Sequence, residues 1–524
     1  MPFEHYFNFK RNTVSPSSQL PSRGLFWQGL IVILSLYTIY HIALVIYRIW
    51  FHPLSKFPGP KHLAATNLIW MWKSYITGTS QLELKKLHRQ YGPIVRISAN
   101  RLDVDGSIGW APIFGHQRGG KPEFWKPAGS FFQGDHHSIL TARQETHRRL
   151  RRHLSHAFSD SALHEQEDLI MGYVNLLVKR LGEQADAGTP TNIVRWLNFT
   201  AFDIIGDLSF GDSFHSLEDN DYHPWILTLF QSIKGEGPNR IAKAYPLLGA
   251  LFMKWIYRGE IAKSAQNREY SVTKAKARME LGVEPNGGRR DFMTYLMKTK
   301  GNDAQSLSEL EILSHSSMFV VAGSETTATA LSGLFFYVGR DQKIYEDLAN
   351  EIRNAFNDET EINMQNTVRL EFLNACLNEV LRVYPPATDP PPRVSPGGEI
   401  EGKYLPPGVL IGISQVATMS NPLNFHEPEA FRPQRWLPPT DPRYDPVFAN
   451  DNHAAFKPFS YGPRDCLGKN LAYAEMRLIM SKIFFKYDFR LEPGQSNWHS
   501  SQKTFTIWDK APLSVVLTRR EAVA

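Results

Sequence analysis

The apolar and polar positions sort the chain into a few strongly patterned stretches. From Gly24 to Tyr47 no charged residue occurs, and Leu, Ile, Val and Tyr dominate. About 20 apolar residues cross a bilayer core, so this run is long enough to span one. Trp27 and Trp50 lie near its ends, where interfacial aromatics belong. A cleaved signal peptide would carry a shorter apolar core and a small-residue cleavage site. Tyr47-Arg-Ile-Trp-Phe51 offers none, which predicts a retained anchor. Basic residues flank the run on both sides (Lys10, Arg11 and Arg23; Arg48, Lys56 and Lys61), so charge does not set its orientation.

Beyond the anchor the periods are mostly helical. Tyr91 to Ser98 and Arg101 to Asp105 alternate about Ala99-Asn100, predicting a hairpin. Gly106 to Leu140 has no period and is rich in Gly, Pro and His; so long an irregular stretch is usually functional. Thr146 to Phe158 places Leu150, Leu154 and Phe158 on one helical face. Asp203 to Leu208 and the runs from His223 to Arg258 predict further helices, with loops at 234–238 and 284–290. Ser306 and Glu309 have capping-box spacing and open a helix running to about Gly339. At 1.5 Å per residue that helix is about 48 Å long, enough to cross a whole domain. Lys469 to Tyr487 carries Leu471, Ala474, Leu478 and Met480 near helical spacing.

Composition narrows the class. With 524 residues, 42% hydrophobic and 12% aromatic, the chain can bury a sizeable core and is not disordered. A net charge of +6, without stacking-rich basic motifs, gives no reason to expect nucleic acid. Two cysteines, Cys376 and Cys466, exclude a disulfide scaffold and suit a reducing compartment. No internal repeat is present. Asn198-Phe-Thr200 matches a glycosylation sequon, expected to be unused if the domain faces the cytosol.

The candidate chemistry centres on Phe459-Ser-Tyr-Gly462-Pro-Arg464-Asp-Cys466-Leu-Gly468. Cys466 lies between two glycines, with a cation two residues before it and a helix just after it. A helix N-terminus favours thiolate over thiol, and glycine admits a bulky partner close to the backbone. The pattern points to a metal ligand. Zinc would need four clustered nitrogen or sulfur ligands, which are missing here; a catalytic nucleophile and a cysteine packed in a turn remain open. Three other stretches are ambiguous by themselves. Glu325-Thr326 is a polar notch in an apolar helix, either a functional pair or a kink with threonine bonded to its own backbone. Glu379-x-x-Arg382 is by spacing an ordinary surface ion pair. The arginines from Arg148 to Arg152 read as a solvated cationic face.

The pattern F-x-x-G-x-R-x-C-x-G resembles the haem-binding loop of the cytochrome P450 family. Its chance expectation over this chain is on the order of 10⁻⁴, which argues against coincidence. The resemblance extends over nearly the whole chain, with the motifs in family order. It implies the mainly α cytochrome P450 fold with a small β-rich lobe, preceded by one transmembrane helix. The implied divisions are a lead segment at 1–23, the anchor at 24–50, a proline-rich hinge at 51–60 and the catalytic domain at 61–524. Residues 106–140 would roof the substrate pocket. Cys466 would be the axial thiolate of haem b, with Phe459, Gly462, Arg464 and Gly468 shaping its loop. Ala322-Gly323-Ser-Glu325-Thr326 is similar to the family's oxygen-side signature, where Gly323 leaves room over haem and Glu325 and Thr326 relay protons. His147-x-x-x-Arg151 keeps the spacing of a W-x-x-x-R motif that binds a haem propionate, with histidine in the tryptophan's place. Arg393 matches a second propionate-binding arginine. Glu379, Arg382 and Arg435 would form a buried triad, with Gln434 where the family commonly has an acid.

The resemblance also implies the reaction: a monooxygenase inserting one atom of O₂ into a C–H bond of an apolar small molecule. Electrons would come from NADPH-cytochrome P450 reductase, with cytochrome b5 as a second donor, at the endoplasmic reticulum membrane. The remaining arginines of the basic helix would form a docking face for that acidic donor. Ser155-His-Ala-Phe-Ser159 and Phe202-Asp-Ile-Ile-Gly-Asp207 resemble the fungal branch that tailors secondary metabolites, including isotrichodermin hydroxylases and benzoate 4-monooxygenase-like proteins. Pocket residues would come from 106–140, the Lys234 region, Phe319, Ala322, Thr388 to Pro392, and Thr504-Phe505. Two other readings remain: a haem-thiolate enzyme that rearranges or dehydrates its substrate without O₂, and a non-catalytic haem sensor.

Overall fold

The computed structural model describes residues 23–117, 119–127, 138–247, 249, 258–283, 288, 290–298, 306–505 and 507–520. Lys10 and Arg11 of the lead segment, positions 128–137 of the expected roof and most of the turn expected at 284–290 lie outside them.

Two compact units divide the chain, 1–55 and 56–524. In the first, α1 (Arg23–Ile46) continues into a π-helical turn at Tyr47–Phe51. The stretch Phe26–Phe51 has a mean hydropathy of 2.2 and buries none of its length within the protein, as the uncharged run predicts.

The second unit is mostly helical. Its first strands, β1 (Ile94–Ser98) and β2 (Arg101–Val104), form the expected antiparallel hairpin. Alternation predicts one wet face, yet both faces are covered. The polar side chains are buried with partners: Arg96 donates to the Ala99 carbonyl oxygen, and Asp103 bonds His88. The stretch after β2 is not wholly irregular, because Gly106–Gly109 and Trp110–Phe114 are helical. Next come α2 (Gln144–Leu154), β3 (Thr191–Asn192), α3 (Ile193–Phe210) and α4 (Pro224–Ala244). The loop expected at 234–238 is absent: α4 runs through Pro238. Proline removes one donor and strains one turn, and packing on neighbouring helices overrides that local preference.

The core is built around α5 (Glu309–Val338). Its cap is Ser308, two residues later than the spacing suggested. Ser308 Oγ accepts from the Glu311 N–H at 3.3 Å, and the Ser308 N–H donates to Glu311 Oε2 at 2.9 Å. Both Ser306 and Ser308 are followed by a glutamate at the right spacing, and Ser306 instead turns its carbonyl to Arg149. At 30 residues the helix is about 45 Å long. It packs on α3 and on two helices that hold the candidate residues, α6 (Glu371–Val383) and α7 (Lys469–Lys486). Between those two, β4 (Arg393–Val394) and β5 (Leu410–Gly412) complete a sheet of order β1-β2-β5-β4, with β2 and β5 parallel. After α7, β9 (Ser514–Arg519) pairs antiparallel with both β3 and β6 (Tyr487–Leu491), and between β6 and β9 in the chain lies the hairpin of β7 (Lys503–Phe505) and β8 (Ile507–Asp509).

Candidate active site

The cysteine loop is closed by its own backbone. Cys466 N–H donates to the Phe459 carbonyl oxygen at 2.9 Å, while Ser460 and Gly462 adopt left-handed φ of 64° and 79°. Glycine is required at 462 on two counts, since a Cβ there would lie 2.1 Å from the Phe114 carbonyl oxygen. Gly468 caps α7, and a Cβ added to it would meet nothing nearer than 3.9 Å. Cys466 is accessible, whereas Cys376 is buried in the core. Poor solvation pushes the Cys466 thiol up, against the Gly468 N–H and the charges of Arg151 and Lys126. Desolvation thus opposes the helix end, and a bound metal cation would favour the thiolate, because coordination deprotonates a thiol outright.

Around this loop lies a cluster of buried cations. Arg464 donates through Nε to Glu123 Oε1 at 2.6 Å and through Nη1 to the Ala142 carbonyl oxygen at 2.9 Å. Its Nη2, with Nε and Nη1 of Arg393, is buried without a partner among the described residues. Arg393 lies over the Phe114 ring at 4.6 Å. Burial and the neighbouring Arg464 pull its guanidinium down to about 9, and burial with these arginines pulls Lys126 well below its usual range. His147 is buried and held neutral, pulled to about 3 by desolvation and Arg464. Unpaired buried charge is strongly unfavourable, so the cluster fits a ligand bearing carboxylates. With the accessible thiol beside it, the donor set suits haem: one soft axial ligand and cations for two propionates. Arg151 is arranged differently. Its Nη1 donates to the Asp465 carbonyl oxygen at 2.8 Å and its Nη2 binds the Asp465 carboxylate, so these donors brace the cysteine loop.

Apart from Glu309 and Leu310 at its start and Tyr337 near its end, helix α5 is buried except for a stripe at Ser314, Ser317, Val321, Ala322, Gly323 and Thr326. Thr326 Oγ1 donates to the Ala322 carbonyl oxygen at 2.7 Å. Gly323 also has a packing role. A Cβ there would meet Ile205 Cδ1 at 2.7 Å, so this glycine lets α3 approach α5. Phe319 is packed edge-on to Phe158 and Phe292 in the core. Glu325 is turned away from the stripe and buried, ion-paired with Lys510.

The Glu379-Arg382 pair is no surface feature. Both side chains are fully buried, bonded through two parallel contacts of 2.9 and 2.7 Å. Arg435 Nε reaches Glu379 Oε1 at 3.2 Å, assembling the triad, and Trp436 Nε1 donates to Glu379 Oε2 at 2.8 Å. Two arginines on one glutamate leave a positive charge, and Asp451 supplies the second acid by binding Arg435 Nη1.

Asp451, Lys510, Lys126 and Glu475 escaped sequence reasoning. The first three lie in unpatterned segments and gave no signal. Glu475 did give one: it falls on the apolar face of α7 with Leu471 and Leu478. It is buried, bonded to Thr327 of α5 and pushed up to about 8 by desolvation. The sequon Asn198 is buried in α3, its amide donating to Tyr222 Oη at 2.8 Å.

Comparison with known proteins agrees with this geometry. The sequence profile of one family, Cytochrome P450, matches residues 58–516. A cytochrome P450 monooxygenase of Aspergillus oryzae, astJ, is 39% identical over 91% of this chain and 94% of its own length. The monooxygenase efuB of Hormonema carpetanum is 37% identical over 94% of this chain and 97% of its own. A trichothecene C-15 hydroxylase of Fusarium sporotrichioides is 36% identical over 92% of this chain and 96% of its own.

Proposed function

Because the chain belongs to the cytochrome P450 family of haem-thiolate enzymes, we propose that Cys466 is its axial ligand and that Arg393 and Arg464 hold the propionates. The activity is that of a monooxygenase, with O₂, a redox partner and an apolar substrate. The accessible Cys466 thiol beside the unpaired guanidinium nitrogens carries the residue assignment. Bound haem supplies O₂ activation, so that RH, O₂, NADPH and a proton yield ROH, water and NADP⁺.

The chain's own residues position, exclude and deliver. The Phe459 carbonyl and Arg151 fix the cysteine loop at Cys466 and Asp465. His147 and Lys126 add donors at the carboxylate end. On α5, the Thr326 hydroxyl proton is held by the Ala322 carbonyl, leaving its lone pairs to accept from a water on the accessible stripe. Thr326 thus orients a water as proton donor, and Glu325 resupplies the proton.

We assign the apolar helix as a single-pass anchor at 24–50, followed by a hinge at 51–60 and a cytosolic catalytic domain at 61–524, at the endoplasmic reticulum membrane. NADPH-cytochrome P450 reductase, with cytochrome b5 as a second donor, fits the arginines of α2. The substrate class is an apolar secondary-metabolite scaffold, supported by relatives such as the trichothecene C-15 hydroxylase. Those relatives also favour oxygenation over an O₂-independent rearrangement or a sensor role. Expression with a reductase, followed by metabolite profiling, tests the reading. Oxidised product that requires both NADPH and O₂ is expected, and turnover without either contradicts it.

A further inference from the structure

Lys510 stands just beyond β8 in the last part of the chain, yet its side chain is 4% exposed. Its Nζ binds Glu325 Oε1 and donates to Thr329 Oγ1 at 2.7 Å, and Thr329 Oγ1 lies 3.4 Å from the same carboxylate oxygen. Glu325 is 8% exposed, and its Oε2 is buried without a partner among the described residues. We propose that Lys510 is a positioning residue for Glu325, fixing the direction of that carboxylate against α5.

Consecutive residues on an α-helix point about 100° apart. Thr326 lies on the stripe, so Glu325 next to it faces the C-terminal segment. Lys510 is well placed to fix it there, because β8 is itself anchored. Trp508 Nε1 donates to the Pro385 carbonyl oxygen at 2.9 Å, and its ring stacks on Tyr384 at 4.7 Å. The other titratable groups facing the pair are Tyr384 and Tyr222 toward Glu325 and Asp509 toward Lys510. None of these is a second cation, so among these residues the ammonium is the countercharge that meets the carboxylate. Burial pulls Lys510 itself down, and Glu325 opposes that pull. Oε2 is then the carboxylate oxygen left without a partner among the described residues, and the Lys510 contact sets its direction. The catalytic consequence rests on the proton-relay reading given above; the positioning does not.

Infrared spectroscopy of the haem-loaded full chain at neutral pH separates the two. Lys510→Met should show a protonated-carboxyl C=O band that is absent from the unaltered protein and lost again in Lys510→Met/Glu325→Gln. Product formed per NADPH should fall by at least about tenfold in Lys510→Met, as displaced catalytic groups do, and recover in Lys510→Arg. Absence of the band, with unchanged coupling, overturns the proposal. The band with unchanged coupling supports the positioning and overturns the relay role of Glu325. If Lys510→Met fails to hold haem, the double variant must regain it, because both charges are then gone; failure of the double variant too counts against the pairing.

Discussion

Thr326 and Ala322 are joined on the accessible stripe of α5 by a 2.7 Å hydrogen bond from hydroxyl to backbone carbonyl. The bond fixes which way the hydroxyl points, and so which atom a cavity water can meet. Thr326→Ala should leave haem binding and NADPH consumption largely intact while product falls and hydrogen peroxide rises. Losing a positioned proton donor lowers the step it serves on the order of 10²-fold. Product per NADPH checks this; unchanged coupling would leave Thr326 only the backbone contact.

Asp451 balances the second arginine on Glu379. Asp451→Asn keeps the shape and removes the charge, leaving the fully buried Arg435 with one of its two acidic partners. Breaking such a pair costs about 3–5 kcal/mol, and the lower end is expected because Glu379 still faces Arg435. Thermal unfolding of the haem-loaded protein should show a marked loss of stability.

Glu475 gives a pH dependence of known sign. Its carboxyl is raised from 4.5 to about 8 in the fold. A raised carboxylate binds its proton more tightly folded than unfolded. The stability it contributes is therefore complete below about 4.5 and is lost as pH rises toward about 8. Glu475→Gln, which can still bond Thr327, should match the unaltered protein in acid and become progressively more stable than it across that window. By neutral pH the difference is on the order of 3 kcal/mol. Urea unfolding at a series of pH values measures it, and a constant difference would contradict the assignment.

How much of this was legible depended on whether a residue's partner lay nearby in sequence. The cysteine loop was readable because Gly462, Arg464, Cys466 and Gly468 have fixed spacing imposed by one tight turn. The Glu379-Arg382 pair was readable only by resemblance, since spacing alone describes any exposed helix. Asp451 and Lys510 were invisible: each completes a charge balance with a partner distant in sequence, 16 residues away for Asp451 and 185 for Lys510, with no periodic pattern around it. The cap of α5 slipped by two residues because two serines satisfied the same local rule. The packing of Ile205 on Gly323 was not legible because a sequence does not show which helix approaches a glycine.

The apolar run Phe26–Phe51 should hold the full-length chain in membranes through carbonate extraction. Removing the residues before Phe57 should release much of it with haem binding intact. A fully soluble full-length chain would contradict the anchor.

The axial ligand is the central claim, and the reduced carbon-monoxide spectrum tests it most directly. Thiolate ligation sets the electronic state of the iron, so the full chain should absorb at the long-wavelength position typical of thiolate haem. Cys466→His should shift that band or lose haem altogether. A thiolate-type band surviving in Cys466→His would contradict the account.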